Sequence, residues 1–351
     1  MKDVGSGGLE LGPRVLPPPG GAGDLLREAI EASSVADRAA ELGFVPDSEA
    51  AWLELIAASE AEGGAEVEAA VEQLPVSVAP DEIAGVNVFN VVPDGIDAAH
   101  EDHFFVHVHG GAYVLGGGVA GTAEAIAVVL GTGIRAVSID YRMAPRYPYP
   151  AAVDDVIAVY EHLLSERSVR SMAMGGSSAG GGITLTAIQQ LIERDVDTPA
   201  ALFIGTPRAD LTGTGDTFFT NQGVDRHIPT PDGFIDAAVR LYAGDLDVAD
   251  PRISPIYGDF NGFPPTLLVS GTRDLFLSNT VRTHTKLRQA GVEADLLVYE
   301  GMSHADYLHV PTAPESLHFY EELNEFLLKH LRASARGSTA SMPKVDSMRW
   351  T

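Results

Sequence analysis

Cysteine is absent from this 351-residue chain. That excludes disulfides, a thiolate nucleophile and any zinc or iron–sulfur site built on Cys. Basic residues are scarce: 23 Lys and Arg stand against 49 Asp and Glu, a formal charge of −26. Phosphate-rich surfaces would be repelled, so no nucleic-acid partner is expected. No apolar run reaches the roughly 18 residues of a membrane-spanning helix, so no stable membrane insertion is expected either. The opening MKDVGSGGLELGPRVLPPPGG lacks the apolar stretch of about 7–15 residues that a signal peptide needs. A cytoplasmic location is expected, although an exported protein whose signal had been removed would read the same.

Apolar residues make up 45% of the chain and charged residues 21%. Those proportions describe a globular protein, and the length allows a sizeable core. The first 21 positions are rich in Gly and Pro and read as an extended arm. Residues 22–73 carry apolar positions at helical spacing, among them Leu25, Leu26, Ala29 and Ile30, then Trp52, Leu53, Leu55 and Ile56. Two or three short helices are expected there, broken at Gly43-Phe44-Val45-Pro46 and at Glu62-Gly63-Gly64.

Short apolar runs follow at Val86–Val92, Phe104–Val108, Ala136–Ile139, Met172–Met174, Ala201–Ile204, Thr266–Val269 and Leu296–Tyr299. Helical patterns separate most of them, at about 121–130, 151–164, 180–193, 232–242 and 279–290, and one more follows at 315–331. This alternation predicts an α/β fold with a mainly parallel sheet flanked by helices. The first two runs have no helix between them, so the sheet is expected to begin antiparallel. The expected organisation is an arm and helical cap over 1–73, completed by 207–242, then a core over 74–335 and a polar tail over 336–351.

Gly176-Ser177-Ser178-Ala179-Gly180 fits G-x-S-x-G between a strand pattern and a helix pattern. That context is what the motif requires, because a strained strand-to-helix turn exposes the serine hydroxyl. Ser178 is therefore the candidate nucleophile. His109-Gly110-Gly111-Ala112 follows the Phe104–Val108 run. Successive amides at such a turn can converge on an oxyanion, so Gly110, Gly111 and Ala179 are the candidate donors. His107 and His109 have no further ligand at metal spacing, so no metal is expected.

A serine nucleophile needs a base, and the base an orienting acid. Asp274 and His304 each follow an apolar run and stand 30 positions apart. Both fall at the C-terminal edge of the expected sheet, where open α/β folds bind ligands. Asp306 and His309 are weaker rivals, as are Asp210 and Asp216. Phe218, Phe219, His227 and Ile228 lie in the 207–230 loop and are candidates for lining an acyl pocket, or else pack that loop onto the core.

Further motifs occur in order around these: Asp140-Tyr141-Arg142-Met143-Ala144-Pro145, Tyr147-Pro148-Tyr149-Pro150-Ala151-Ala152, Asp250-Pro251-Arg252-Ile253-Ser254-Pro255 and Gly271-Thr272-Arg273-Asp274. Over about 75–333 the chain resembles the hormone-sensitive-lipase-like branch of the α/β-hydrolases, the bacterial family IV esterases. The resemblance implies a sheet of about eight strands under an N-terminal helical cap. It also implies Ser178 as nucleophile, Asp274 as acid, His304 as base and the three amides as oxyanion hole. The implied activity is hydrolysis of short- to medium-chain acyl esters with no cofactor, and a homodimer is in keeping with the family. Three positions depart from its pattern: Ala112 replaces the third glycine, Ser177 precedes the nucleophile in place of Asp or Thr, and Arg146 replaces a glutamate. A lactonase or an esterase for bulky alcohol esters is an alternative reading, and a non-catalytic receptor is an alternative of another class.

Overall fold

A computed structural model describes residue 12 and residues 15–332. The tail expected over 336–351 and residues 1–11, 13 and 14 of the expected arm lie outside the described residues.

Three helices come first: α1 (Asp24–Ala32), α2 (Val35–Gly43) and α3 (Glu49–Val71). Ser34 and Ser48 cap α2 and α3, accepting from the Asp37 and Ala51 amides at 3.2 and 3.3 Å. The break around Pro46 occurs as expected. The break at Glu62-Gly63-Gly64 does not, because α3 runs through it for 23 residues. The two glycines serve close packing instead. A Cβ on Gly63 or Gly64 would stand 3.2 Å from Ala120 or Val119, in the 3-10 turn Gly118–Thr122.

Eight strands form one sheet: β1 (Val76–Ile83), β2 (Val86–Pro93), β3 (Phe104–Val108), β4 (Ala136–Ile139), β5 (Met172–Ser177), β6 (Ala201–Gly205), β7 (Thr266–Gly271) and β8 (Ala294–Tyr299). Their order is β1-β2-β4-β3-β5-β6-β7-β8. The sheet does begin antiparallel, but β2 pairs with β4 rather than with the next strand, β3. β1 carries no clear apolar pattern, since its middle reads Ala-Pro-Asp-Glu and faces water. It pairs with β2 across a tight turn at Ala84-Gly85, both in the left-handed region. β3 to β7 are buried at every position, which is why they read as continuous apolar runs.

The remaining helices are α4 (Ala123–Thr132), α5 (Ala151–Glu166), α6 (Ala179–Glu193), α7 (Thr217–Thr220), α8 (Phe234–Ala243), α9 (Leu277–Gln289), α10 (Asp306–His309) and α11 (Pro314–His330). On one face of the sheet, α5 and α6 bury Val153, Val156, Ile183 and Ile188 against Val106, Met174 and Ile204. On the other, α4 and α11 bury Ile126, Val129, Phe319 and Leu323 against Phe105, Phe203 and Val269. A third cluster joins Leu42, Trp52 and Ile56 of the N-terminal helices to Phe234, Ile235 and Ala238 of α8. Trp52 and Phe234 meet with ring centroids 5.1 Å apart.

The α3 glycines give a prediction in which two effects compete. Leucine favours a helix over glycine by roughly 1 kcal/mol, whereas overpacking costs about 1–3 kcal/mol. Gly64 is buried and already within 3.2 Å of a neighbour at the Cβ position. Gly64→Leu is therefore expected to lower stability in urea denaturation, against its helix propensity.

Candidate active site

The turn after β5 places Ser178 at φ 59°, ψ −121°. A non-glycine residue there is strained, and such strain is held where surrounding contacts fix it. Here they are backbone contacts. The Ser178 amide donates to the Gly205 carbonyl at 2.9 Å, and the Ser178 carbonyl accepts from the Arg208 and Gly182 amides at 2.9 and 3.1 Å. A Cβ at Gly176 or Gly180 would lie 1.8 or 2.0 Å from the Val108 carbonyl oxygen. Only glycine lets the end of β3 approach the turn this closely.

That approach brings the 109–112 loop beside Ser178. Gly110 sits so that a Cβ would be 3.4 Å from the Ser178 Cβ. Gly111 has φ 111° and faces the Leu115 carbonyl, where a Cβ would stand 2.1 Å away. Ala112 also lies in the left-handed region at φ 54°, where glycine is the easier residue. Gly110, Gly111 and Ala179 line one cavity of about 460 Å³ with Ser178 and His304.

His304 is buried, and its Nδ1 is 3.1 Å from Asp274 Oδ1 and 3.0 Å from Thr206 Oγ1. Asp274 is fully buried and accepts from Thr206 Oγ1, from Ser270 Oγ at 2.5 Å and from the Phe276 amide at 2.8 Å. Burial works to raise the Asp274 carboxyl, but His304, Ser270 and Thr206 outweigh it and hold the carboxyl below its ordinary value. Burial likewise works to lower the His304 imidazole. The hydrogen bond and charge of Asp274, with the charges of Asp225 and Asp306, prevail and hold it above its ordinary value. A carboxylate fixes the Nδ1 proton in this way, leaving the other ring nitrogen free to accept one.

Three further carboxylates support these loops. Asp225 is fully buried and accepts from the amides of His227 (2.9 Å), Ile228 (3.0 Å), Leu275 (2.8 Å) and His304 (3.3 Å). Burial first, then the nearby Asp274 charge, raise its carboxyl. Asp306 binds Arg226 and His227, the latter at 2.7 Å, and caps the Ser303 amide at 2.7 Å. Glu124 accepts from the Ser177 hydroxyl and from the Ser177 amide at 3.1 Å, and contacts His107 Nε2 at 3.1 Å. Tyr307 donates to the Ser177 hydroxyl at 2.6 Å, and His107 Nδ1 lies 2.9 Å from Ser138 Oγ.

Of the residues expected at the site, Ser178, His304, Gly110, Gly111, Ala179, His227 and Ile228 all line the cavity. Asp274 stands behind His304. Phe218 and Phe219 do not line it. Phe218 is buried against the Phe276 ring, with centroids 5.5 Å apart, and Phe219 is half exposed. Their short helix α7 is tied to α9 through mutual Thr217–Ser278 bonds of 2.9 Å, which turns Phe218 into the core. His309 lines the cavity but stacks on His227 at 3.9 Å; burial, with His227 adding to it, pushes its pKa down to about 3. Asp210 is occupied by Arg282, Thr212 and Thr214, and Asp216 precedes α7. Among the described residues no cluster of three metal-ligating side chains occurs.

A model of the alpha/beta hydrolase fold matches residues 105–308. A crystal structure of an esterase, E25, superposes with a TM-score of 0.90 at 50% identity, covering 93% of this chain and 99% of that one. An esterase from the bacterial hormone-sensitive lipase family superposes with a TM-score of 0.75 at 27% identity, over 88% and 98% of the two chains. The chain belongs to the hormone-sensitive-lipase-like α/β-hydrolases. Carboxylesterase NlhH of Mycobacterium tuberculosis is 31% identical over 60% of this chain and 69% of its own. An esterase of Acinetobacter venetianus is 28% identical over 72% and 82%. This member of the family is a carboxylic-ester hydrolase. No helix among its described residues is long and apolar enough to cross a membrane.

The glycine contacts of this hydrolase make a sharp prediction. Gly180→Ala puts a methyl group into the Val108 and His109 carbonyls, and displacing reacting groups by about 1 Å can cost on the order of 10²-fold in rate. Ester hydrolysis by the folded variant, checked by circular dichroism, is expected to fall by about that factor.

Proposed function

We propose that Ser178, His304 and Asp274 act as nucleophile, base and orienting acid. The observation that carries this reading is the meeting of two strained or tethered groups in one cavity: Ser178 at a positive φ and His304 held by buried Asp274. His304 Nε2 takes the hydroxyl proton while Ser178 Oγ bonds to the ester carbonyl carbon. The carbonyl oxygen becomes an oxyanion and is met by the Gly110, Gly111 and Ala179 amides. Collapse breaks the bond to the alcohol oxygen, which leaves with the proton from His304. Water then adds to the acyl-enzyme by the same route, and the acid departs as Ser178 regains its proton.

The substrates of this reading are short- to medium-chain acyl esters. A cavity of about 460 Å³ suits a small molecule. Leu42 and Leu55 of the N-terminal helices and Ile235 and Val239 of α8 give it an apolar wall opposite the sheet. These elements act as the cap over the nucleophile.

Two measurements test the assignment. Ser178→Ala is expected to lower kcat on p-nitrophenyl butyrate by about 10⁴–10⁶-fold; near-normal turnover would sink it. The second test is pH. His304 works only when neutral, and its surroundings hold its pKa above the ordinary 6.5. The acidic limb of kcat/KM is therefore expected to have its midpoint above 6.5, with activity lost below it. Asp274→Asn removes the main raising partner, so the limb should move to lower pH while the rate falls by about 10³–10⁴-fold.

A further inference from the structure

The catalytic cavity has a buried cation in its wall. Arg208 is 95% buried, and its pKa is pushed down only to about 10, by burial first, with Tyr113, Asp210 and Asp236 acting in the opposite sense. It therefore stays charged at neutral pH. Its Nε and Nη1 are buried and have no hydrogen-bond partner among the described residues. Asp210, two positions on, is taken by Arg282. Two aromatic rings lie against the guanidinium: its carbon is 4.8 Å from the Phe218 ring centre and 4.6 Å from that of Phe276. Phe276 also packs edge-on against the His304 imidazole, with centroids 4.8 Å apart. The Arg208 amide itself bonds the Ser178 carbonyl. The cation is thus one ring away from the base and one hydrogen bond along the chain from the nucleophile.

A buried, unpaired cation is costly, since cation–π contacts recover only part of the lost hydration. Resting on the esterase reading above, we propose that Arg208 recognises a carboxylate on the substrate, and that the enzyme acts on esters bearing a carboxylate a short hydrocarbon spacer away from the scissile group. A guanidinium's fixed positive charge and N–H donors suit a carboxylate. The apolar wall at Ile235 and Val239 accommodates the spacer. The formal charge of −26 repels anions at long range, so such a substrate depends on a local cation inside the cavity. Half-esters of dicarboxylic acids carry the charge on the acyl side, and acyl esters of hydroxy acids carry it on the alcohol side.

The test is a ratio, which cancels general damage to the fold. Hydrolysis is followed in a pH-stat with monoethyl glutarate against ethyl pentanoate for the acyl side. Sodium 4-acetoxybutyrate against butyl acetate serves for the alcohol side. In one pair or the other, Arg208→Met is expected to lower the kcat/KM ratio of charged to neutral ester by about tenfold or more, through KM. Arg208→Lys is expected to keep part of that ratio. Ratios unchanged by Arg208→Met in both pairs overturn the proposal. So does a wild type that hydrolyses the neutral esters and neither charged one. A binding arm reads independently of turnover: Ser178→Ala enzyme should bind monoethyl glutarate or 4-acetoxybutyrate in calorimetry, and the Ser178→Ala/Arg208→Met protein should not. Equal binding to both proteins, or binding to neither, overturns it. Hydrolysis that survives Ser178→Ala would instead strike the esterase reading and leave the binding arm to judge Arg208.

Discussion

At the end of β3 the backbone of Val108 presses against the turn that follows β5, and two glycines make the contact. Gly176 and Gly180 leave no room for a methyl group between that turn and the Val108 carbonyl. The turn at Ser178 and the loop at Gly110 are placed relative to this contact. It helps hold Ser178 in its strained conformation, brings Gly110 alongside and lets α6 start at Ala179. The parallel pairing of β3 with β5 then carries the contact into the sheet. The geometry around Ser178 thus rests on backbone meeting backbone in a close-packed interior, where no side chain can be added.

Around that contact the polar groups are buried in layers and linked in chains. His304 answers to Asp274, and Asp274 to Ser270 and Thr206. Behind Ser178, Tyr307, Ser177, Glu124, His107 and Ser138 form a second chain through the sheet toward β4. Buried hydrogen bonds of this kind are strong when complete and costly when broken. Ser177 departs from the family's usual residue before this serine, and the chain gives it a partner on each side in Glu124 and Tyr307.

Much of this was legible in the sequence because it depends on local rules. The buried strands β3 to β7 read as apolar runs, and the turn motif at Ser178 sits between a strand and a helix, where its strain can be used. The eight-stranded fold and the family follow from motifs in order. What escaped was set by tertiary contact. β1 is exposed through its middle and carries no clear periodicity. The glycines of α3 look like a break, yet they face a neighbouring turn. Phe218 and Phe219 look like pocket residues, but α7 turns the first inward and the second out. Asp225 sits in a loop with no signature at all, because its partners come from segments 50 and 79 positions away. Glu124 did leave a trace: it is the single charged residue in the apolar helix AEAIAVVLGT.

Asp225 also limits how the enzyme can move. One carboxylate holds the 225–228 segment, the loop after β7 and the loop carrying His304 by their amides. That segment forms part of the cavity wall, through His227 and Ile228. It cannot swing outward without pulling on the loops that carry Asp274 and His304. The N-terminal helices are tied to the same segment, since Arg38 of α2 donates from its Nε to the His227 carbonyl at 3.1 Å. Helix α2, the 225–228 segment and the loops of Asp274 and His304 are thus linked through consecutive hydrogen bonds.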